Sequence, residues 1–237
     1  MHHTAMEHGR LFFETYCPGR SDITVVDVGA SDVNGTLRSV APKGATYIGL
    51  DFVTGVGVDV VLTDPYSFPL GDGCCDVVVS TSCMEHAEFF WLSFTEMLRI
   101  LKPGGLLYMN VPSNGPVHRH PVDCWRFYPD SGMALQNWAV RSGYQPELLE
   151  SFIGAQKKDI WNDFVAVYVR DKAHSVLYPS RMQSRLKKYE NGRVAGSEDF
   201  KRGQSFPEDQ RSFVAPLRRY TTRLLSKLMR NKRKRVQ

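Results

Sequence analysis

Between Thr24 and Pro112 the chain repeats one arrangement, a short apolar run that ends in an acidic or glycine-bearing turn. The runs read TVVDVGASDVNG, YIGLDF and LTDPYSFPLGDGCCDVVVS, and the stretch closes at LKPGGLLYMNVP. Asp27 with Gly29, then Asp51, then Asp64 stand at the ends of successive runs. Apolar runs of this length, bounded by turn signals, read as strands buried in a parallel sheet. A parallel sheet with acidic groups at successive strand ends is a site for a nucleoside-bearing ligand.

Strands are expected at 23–28, 46–52, 58–62, 76–80, 106–111, 148–153 and 164–170. Helical spacing of apolar residues predicts helices over 4–16, 89–101 and 131–142, with Thr4 placed to cap the first. Residues 31–39 read as a loop turning into a further helix. Lys102-Pro103-Gly104-Gly105 is a strong helix breaker. Strands alternating with helices imply an α/β fold, a doubly wound and mostly parallel sheet with right-handed crossovers.

A chain of 237 residues, 42% hydrophobic, can bury one substantial α/β core with an appendage. No apolar run is long enough to span a bilayer, and the N-terminus lacks the pattern of a signal peptide. The five cysteines, Cys17, Cys74, Cys75, Cys83 and Cys124, form no C-x-x-C pair, which suits a reducing compartment. A cytoplasmic protein is expected. The net charge of +5 is uneven: residues 201–237 hold 12 Lys/Arg and 2 Asp/Glu, so residues 1–200 carry a net of −5. Charge therefore gives little support to nucleic-acid binding by the fold itself.

Asp51 falls 22 positions beyond Gly29, where a strand-end carboxylate can accept both hydroxyls of a ribose. A glycine at the end of the first strand lets the backbone approach a ligand closely. The order of these turns, with M-E-H after the fourth strand and L-K-P-G-G before the fifth, resembles the class I S-adenosylmethionine-dependent methyltransferases of the small-molecule type. The resemblance covers residues 22–170. It implies a Rossmann-like, seven-stranded sheet closed by an antiparallel hairpin edge, and S-adenosyl-L-methionine as cofactor. It also implies cofactor-binding roles for Asp27, Gly29, Ser31 and Gly35 at the amino acid end. Asp51 and Phe52 would serve the ribose, Asp64 and Pro65 the adenine, and Ser80 the end of the fourth strand. Ser31 and Val33 stand where glycines are often found. Asp64-Pro65-Tyr66 precedes the fourth strand, whereas the D-P-P-Y motif of base N-methyltransferases follows it, so base N-methylation is disfavoured.

Acceptor-side groups belong after the fourth and fifth strands. Glu85-His86 follows the fourth, and the loop N-G-P-V-H-R-H-P-V-D-C-W-R-F-Y-P-D follows the fifth. Removing a hydroxyl proton during transfer suits a histidine. The expected catalytic residues are His118 or His120 before His86, with Asp123, which reads equally as half of a structural ion pair with Arg126. Trp125, Phe127 and Tyr128 read as packing rather than a stacking platform. His118, His120 and Cys124 lack a third and fourth ligand at metal-binding spacing, so no metal is expected. The loop resembles that of bacterial methyltransferases linked to surface-glycan assembly, which implies a sugar or other small hydroxyl acceptor. A catalytically silent scaffold of the same fold and an RNA methyltransferase using the basic tail stay open as alternatives.

The expected domain runs over 1–171, and 172–237 reads as a polar linker and a basic tail, with 186–212 poorly ordered. Residues 215–231 form a basic amphipathic helix candidate, followed by Lys232–Arg235. Such a tail fits an anionic membrane surface, peripheral to the inner face, with nucleic acid the weaker reading. Nothing in the sequence fixes an oligomeric state.

Overall fold

The computed structural model describes residues 3–157 and 160–204. Eight strands form one sheet in the order β3-β2-β1-β4-β5-β7-β6-β8. They are β1 (Thr24–Val28), β2 (Thr46–Asp51), β3 (Val60–Val61), β4 (Cys75–Thr81), β5 (Leu101–Pro112), β6 (Glu147–Gly154), β7 (Asp163–Val169) and β8 (Tyr189–Val194). Pairs from β3 through β5 are parallel, while β7 joins β5, β6 joins β7 and β8 joins β6 antiparallel. The chain steps outward from β1 to β3 and then crosses back to β4. The β1/β4 boundary is thus the switch point outside which ligands bind in such sheets.

Alternation along the strands supplies two apolar faces. Val77 and Val79 of β4 meet one core, and Val78 meets the other. The first face is covered by α1 (His3–Tyr16), whose Phe12, Phe13 and Tyr16 pack with Leu106, Tyr108 and Val165. The Phe12 ring stacks on Tyr108 at 4.7 Å. On the second face α2 (Phe90–Ile100) and α3 (Ser131–Arg141) bring Phe94, Met97, Leu98, Leu135 and Ala139 onto Leu107 and Ala166. Fully burying each of the Phe, Leu and Met side chains among these is worth about 1.5–3 kcal/mol. Thr4 lies inside α1 rather than at its cap, with a buried hydroxyl.

Three expectations need correction. The helix expected to grow out of 31–39 is only a 3₁₀ turn, Leu37–Val40. Asp32 Oδ1 accepts from the Gly35 N–H at 2.7 Å, and Thr36 Oγ1 accepts from the Arg38 N–H at 3.2 Å. The Asp32 bond competes with helical ones and Gly35 at φ +120 leaves the helical region, while the Thr36 bond caps the start of the short 3₁₀ turn. The K-P-G-G breaker does end α2, but β5 begins at once and absorbs those residues in a register shift against β4.

Residues 172–203 do not form a linker. β8 adds an eighth strand, and the fold continues to Gly203. What holds it is buried Glu150, which accepts from the Tyr16 hydroxyl at 2.6 Å and the Gln183 N–H at 3.0 Å. Met182 and Gln183 are themselves buried. The disorder expected from 186 therefore fails at least through β8. The amphipathic helix candidate and the Lys232–Arg235 cluster lie outside the described residues. Among the described residues no helix is long and apolar enough to cross a membrane.

Candidate active site

At the carboxyl edge of the sheet, β1 turns through Gly29 at φ +85, a conformation that glycine adopts without strain. The Gly29 and Ala30 N–H groups both donate to Leu50 O, at 2.9 and 3.0 Å, so the turn leans on β2. Asp51 closes β2. Its Oδ2 accepts from the Ser31 N–H at 3.0 Å and its Oδ1 from the Val53 N–H at 3.3 Å. Each carboxylate oxygen keeps lone-pair capacity beyond these bonds. Phe52 beside it is half exposed. A Cβ at Gly35 would sit in ordinary contact with Met6 of α1, 3.5 Å from its Sδ.

Asp27 is brought to this edge but points into the fold. The Tyr47 hydroxyl donates to its Oδ2 at 2.7 Å, and burial pushes its pKa up to about 6. Ser80 is fully buried, and its hydroxyl donates to Val28 O at 2.9 Å. That side chain ties β4 to β1, which removes it from the expected cofactor contacts. Asp64 is exposed at the opposite end, with its Oδ1 accepting from the Tyr66 N–H at 2.8 Å. Pro65 is also exposed, and its carbonyl accepts from Ser93 Oγ at 3.4 Å. Arg99 of α2 anchors this turn by donating to Phe68 O and Leu70 O at 3.0 and 2.9 Å.

The loop leaving β4 carries the second cluster. Ser82 sits at φ +51, and its N–H donates to Asn110 O of β5 at 2.9 Å. The turn swings Glu85 under the loop that follows β5, where Glu85 O accepts from the Cys124 N–H at 2.8 Å. The Glu85 side chain is 1% exposed, and its Oε2 has no hydrogen-bond partner. Burial pushes its pKa up to about 8. His86 Nδ1 stands 2.6 Å from Val122 O and its Nε2 3.7 Å from Glu85 Oε1. Burial lowers the pKa of His86.

His118 approaches from the other side, with Nε2 4.0 Å from Glu85 Oε1 and Nδ1 3.5 Å from Asp123 Oδ2. Asp123 is gripped by Arg126 at 2.6 and 2.8 Å and also accepts from the His118 N–H at 2.7 Å. The Arg126 guanidinium holds its carboxyl well below the usual range. His120 is exposed, its ring 5.9 Å from that of His86 and 6.3 Å from that of His118. All three expected histidines and Asp123 thus converge. Phe127 packs into the core as expected, whereas Trp125 and Tyr128 keep exposed faces.

Sequence reasoning noticed Glu85 but left it outside the site, and it missed Trp161 entirely. The Trp161 ring lies 4.9 Å from that of His118, beneath Arg126, and fills the space that a side chain at Gly115 would need. It sits on the β6–β7 connection, and no motif marks it. The two clusters adjoin: a Cβ at Gly29 would meet Cys83 Cβ at 2.5 Å, two residues before Glu85.

Comparison with known proteins agrees with this architecture. A methyltransferase domain model matches residues 18–109. An uncharacterised methyltransferase of Mycobacterium sp. (strain KMS) is 27% identical over 134 residues, 52% of this chain and 52% of its own length. The chain thus spans about half the length of the curated relatives it matches. The Burkholderia thailandensis 1,6-didemethyltoxoflavin-N1-methyltransferase, solved with its substrate and S-adenosylhomocysteine, superposes with TM-score 0.54 at 18% identity, covering 71% of this chain and 79% of that one. An S-adenosylmethionine-dependent methyltransferase of Methanosarcina mazei gives TM-score 0.51 at 13% identity, covering 68% and 97%.

Proposed function

We propose that this chain is a class I methyltransferase that uses S-adenosyl-L-methionine to methylate a hydroxyl group of a sugar or similar small acceptor, a reading supported by the matching methyltransferase domain model and the shared fold. The observation that carries the reading is the contact of the Gly29 turn with Cys83. It sets a backbone-lined turn against a cluster of Glu, His and Asp side chains. When bound, the cofactor supplies an electrophilic methyl group on a sulfonium.

The residues fit that cofactor. The Gly29–Ser31 backbone lines the amino acid end, and the remaining lone pairs of Asp51 accept ribose hydroxyls, with Phe52 beside them. The Asp64–Pro65 turn borders the adenine. Asp27 acts from behind, holding Tyr47 and the turn rather than the ligand. On the acceptor side, the loop after β5 orients the hydroxyl and receives its proton at His118, backed by Asp123, or at exposed His120. Side chains of His, Asp, Arg and Trp in one cluster suit a polyhydroxylated ring, which offers hydroxyls to bond and an apolar face to cover. Such a glycan-directed activity fits a cytoplasmic enzyme whose basic tail meets an anionic membrane surface. Binding to anionic vesicles that weakens with salt tests that placement.

The test of the reaction is an acceptor screen with methyl-labelled cofactor across sugar nucleotides, glycans, phenols and RNA. Label transfer to a sugar hydroxyl, falling strongly in His118→Ala or His120→Ala with cofactor affinity retained, is the expected result. Label on RNA alone, or no transfer to any class by protein that binds S-adenosylhomocysteine, overturns it.

A further inference from the structure

We propose that Glu85, His86 and His118 form a binding site for one divalent transition-metal ion beside the cofactor turn. Their donor atoms lie within 4.8 Å of one another. Glu85 Oε1 is the centre of the group, 3.7 Å from His86 Nε2 and 4.0 Å from His118 Nε2. Metal–ligand bonds of 2.0–2.2 Å set neighbouring donors about 3.4 Å apart in a tetrahedral site. Small rotamer shifts close that gap.

Distances alone would fit any polar cluster. The surroundings of each ligand are more specific. His86 Nδ1 meets Val122 O at 2.6 Å, so that nitrogen carries the proton and Nε2 presents a lone pair toward Glu85. His118 repeats the pattern, with Nδ1 facing Pro116 O at 3.4 Å and Asp123 Oδ2 at 3.5 Å. Arg126 Nη2 also stands 3.5 Å from that nitrogen, but it donates to Pro116 O and Asp123 Oδ2. A ligating histidine whose other nitrogen bonds a carbonyl or a carboxylate is the usual outer support of a metal site. Glu85 supplies the independent sign: a carboxylate 1% exposed whose Oε2, the oxygen beside the ligating Oε1, has no hydrogen-bond partner. A buried carboxylate with an unpaired oxygen is costly unless a cation neutralises the group.

Two imidazoles and one carboxylate favour zinc, manganese, iron or cobalt over magnesium or calcium. Three protein ligands leave positions open, which is the arrangement of reactive rather than structural sites. This part rests on the methyltransferase reading: an ion there coordinates and polarises an acceptor oxygen. His118 is then a ligand, and His120 remains the loop imidazole outside the trio. The sequence expectation of no metal considered His118, His120 and Cys124. The missing ligands come from 85–86, more than thirty residues upstream.

The test uses the full chain stripped by chelator dialysis and titrated with ZnCl2 by calorimetry, then loaded with Co2+ for visible absorption. One ion per chain is expected. Glu85→Gln, His86→Ala and His118→Ala should each weaken binding by about a hundredfold, and Asp123→Asn by about tenfold to a hundredfold through lost orientation. Cys124→Ser, an exposed thiol nearby, should leave it unchanged. Should Glu85→Gln not fold, the part-exposed His118→Ala variant decides. Absence of stoichiometric binding, binding that survives Glu85→Gln with His118→Ala, or its loss in Cys124→Ser overturns the site. S-adenosylhomocysteine is titrated into the same samples, so that loss of the metal site and loss of the methyltransferase reading give separate signals.

Discussion

Around Gly29 and Asp51 the polar contacts run through backbone: Gly29 and Ala30 N–H to Leu50 O, and Ser31 and Val53 N–H to the Asp51 carboxylate. Around Glu85 the Cys124 and Trp125 N–H groups donate to Glu85 O, but most contacts run through side chains brought from two loops, among them the Asp123–Arg126 pair. One rim is therefore specified by where glycines and a strand-end acid fall along the chain. The other is specified mainly by which side chains meet. A backbone-built rim tolerates changes such as Ser31 and Val33 in place of glycine, provided the turn keeps its course. A side-chain rim has no such tolerance, since each group sets the direction of the next.

The largest test removes what both rims stand on. A chain cut after Asp171 loses β8 and the Met182 and Gln183 N–H donors to Glu150, and it exposes the edge of β6. Loss of cooperative thermal unfolding is expected, whereas a cut after Gly203 should leave the melting temperature and S-adenosylhomocysteine affinity unchanged. If the shorter chain also melts cooperatively with normal cofactor affinity, the antiparallel edge is dispensable.

Next in size is Asp51→Ala, which removes a carboxylate that holds two backbone N–H groups. Hydrogen bonds to charged groups contribute about 1.5–3 kcal/mol, so calorimetry should show S-adenosylhomocysteine binding weaker by roughly tenfold to a hundredfold. Arg126→Ala on the other rim should change that affinity by less than about twofold, since no charge-assisted bond to the cofactor is lost. Equal losses in both variants would erase the division between the rims.

Gly29→Ala probes the point where the rims touch. A left-handed backbone costs a non-glycine residue about 1–2 kcal/mol, and the new Cβ collides with Cys83. A melting temperature lower by several degrees is expected, together with weaker cofactor binding. An unchanged melting temperature means the β4 loop can shift, and the contact that carries the functional reading is loose.

The smallest effect concerns the Glu96–Arg99 ion pair beside the segment that follows Asp64. Burial acts to raise the pKa of Glu96, but the Arg99 and Phe68 hydrogen bonds outweigh it and leave the group below its ordinary 4.5. A depressed carboxyl stabilises the fold above its unfolded-state value and ceases to as pH falls through the folded value. The melting temperature should therefore drop below about pH 4.5, and Arg99→Ala should flatten that drop. Acid sensitivity unchanged in Arg99→Ala would show that other carboxyls govern the acid limb.

The sequence alone determined the order of elements and the backbone rim. Apolar runs, turn residues and the 22-residue step from Gly29 to Asp51 are local signals, and strand propensity and turn chemistry act over a few residues. It also named every histidine that the structure brings together. Residues 31–39 lost their helix to a local bond, the Gly35 N–H to Asp32, which competes with helical pairing within a few residues. Tertiary structure decided two things that local signals do not carry. The polar stretch after 171 became part of the sheet because Glu150 and the open edge of β6 offered it partners. Glu85 became the hub of the histidine cluster because the Ser82 turn buried it between His86 and His118. Each is a contact between residues far apart in the chain, or a choice between competing hydrogen bonds. Such outcomes are settled by which pairings the whole fold can satisfy at once.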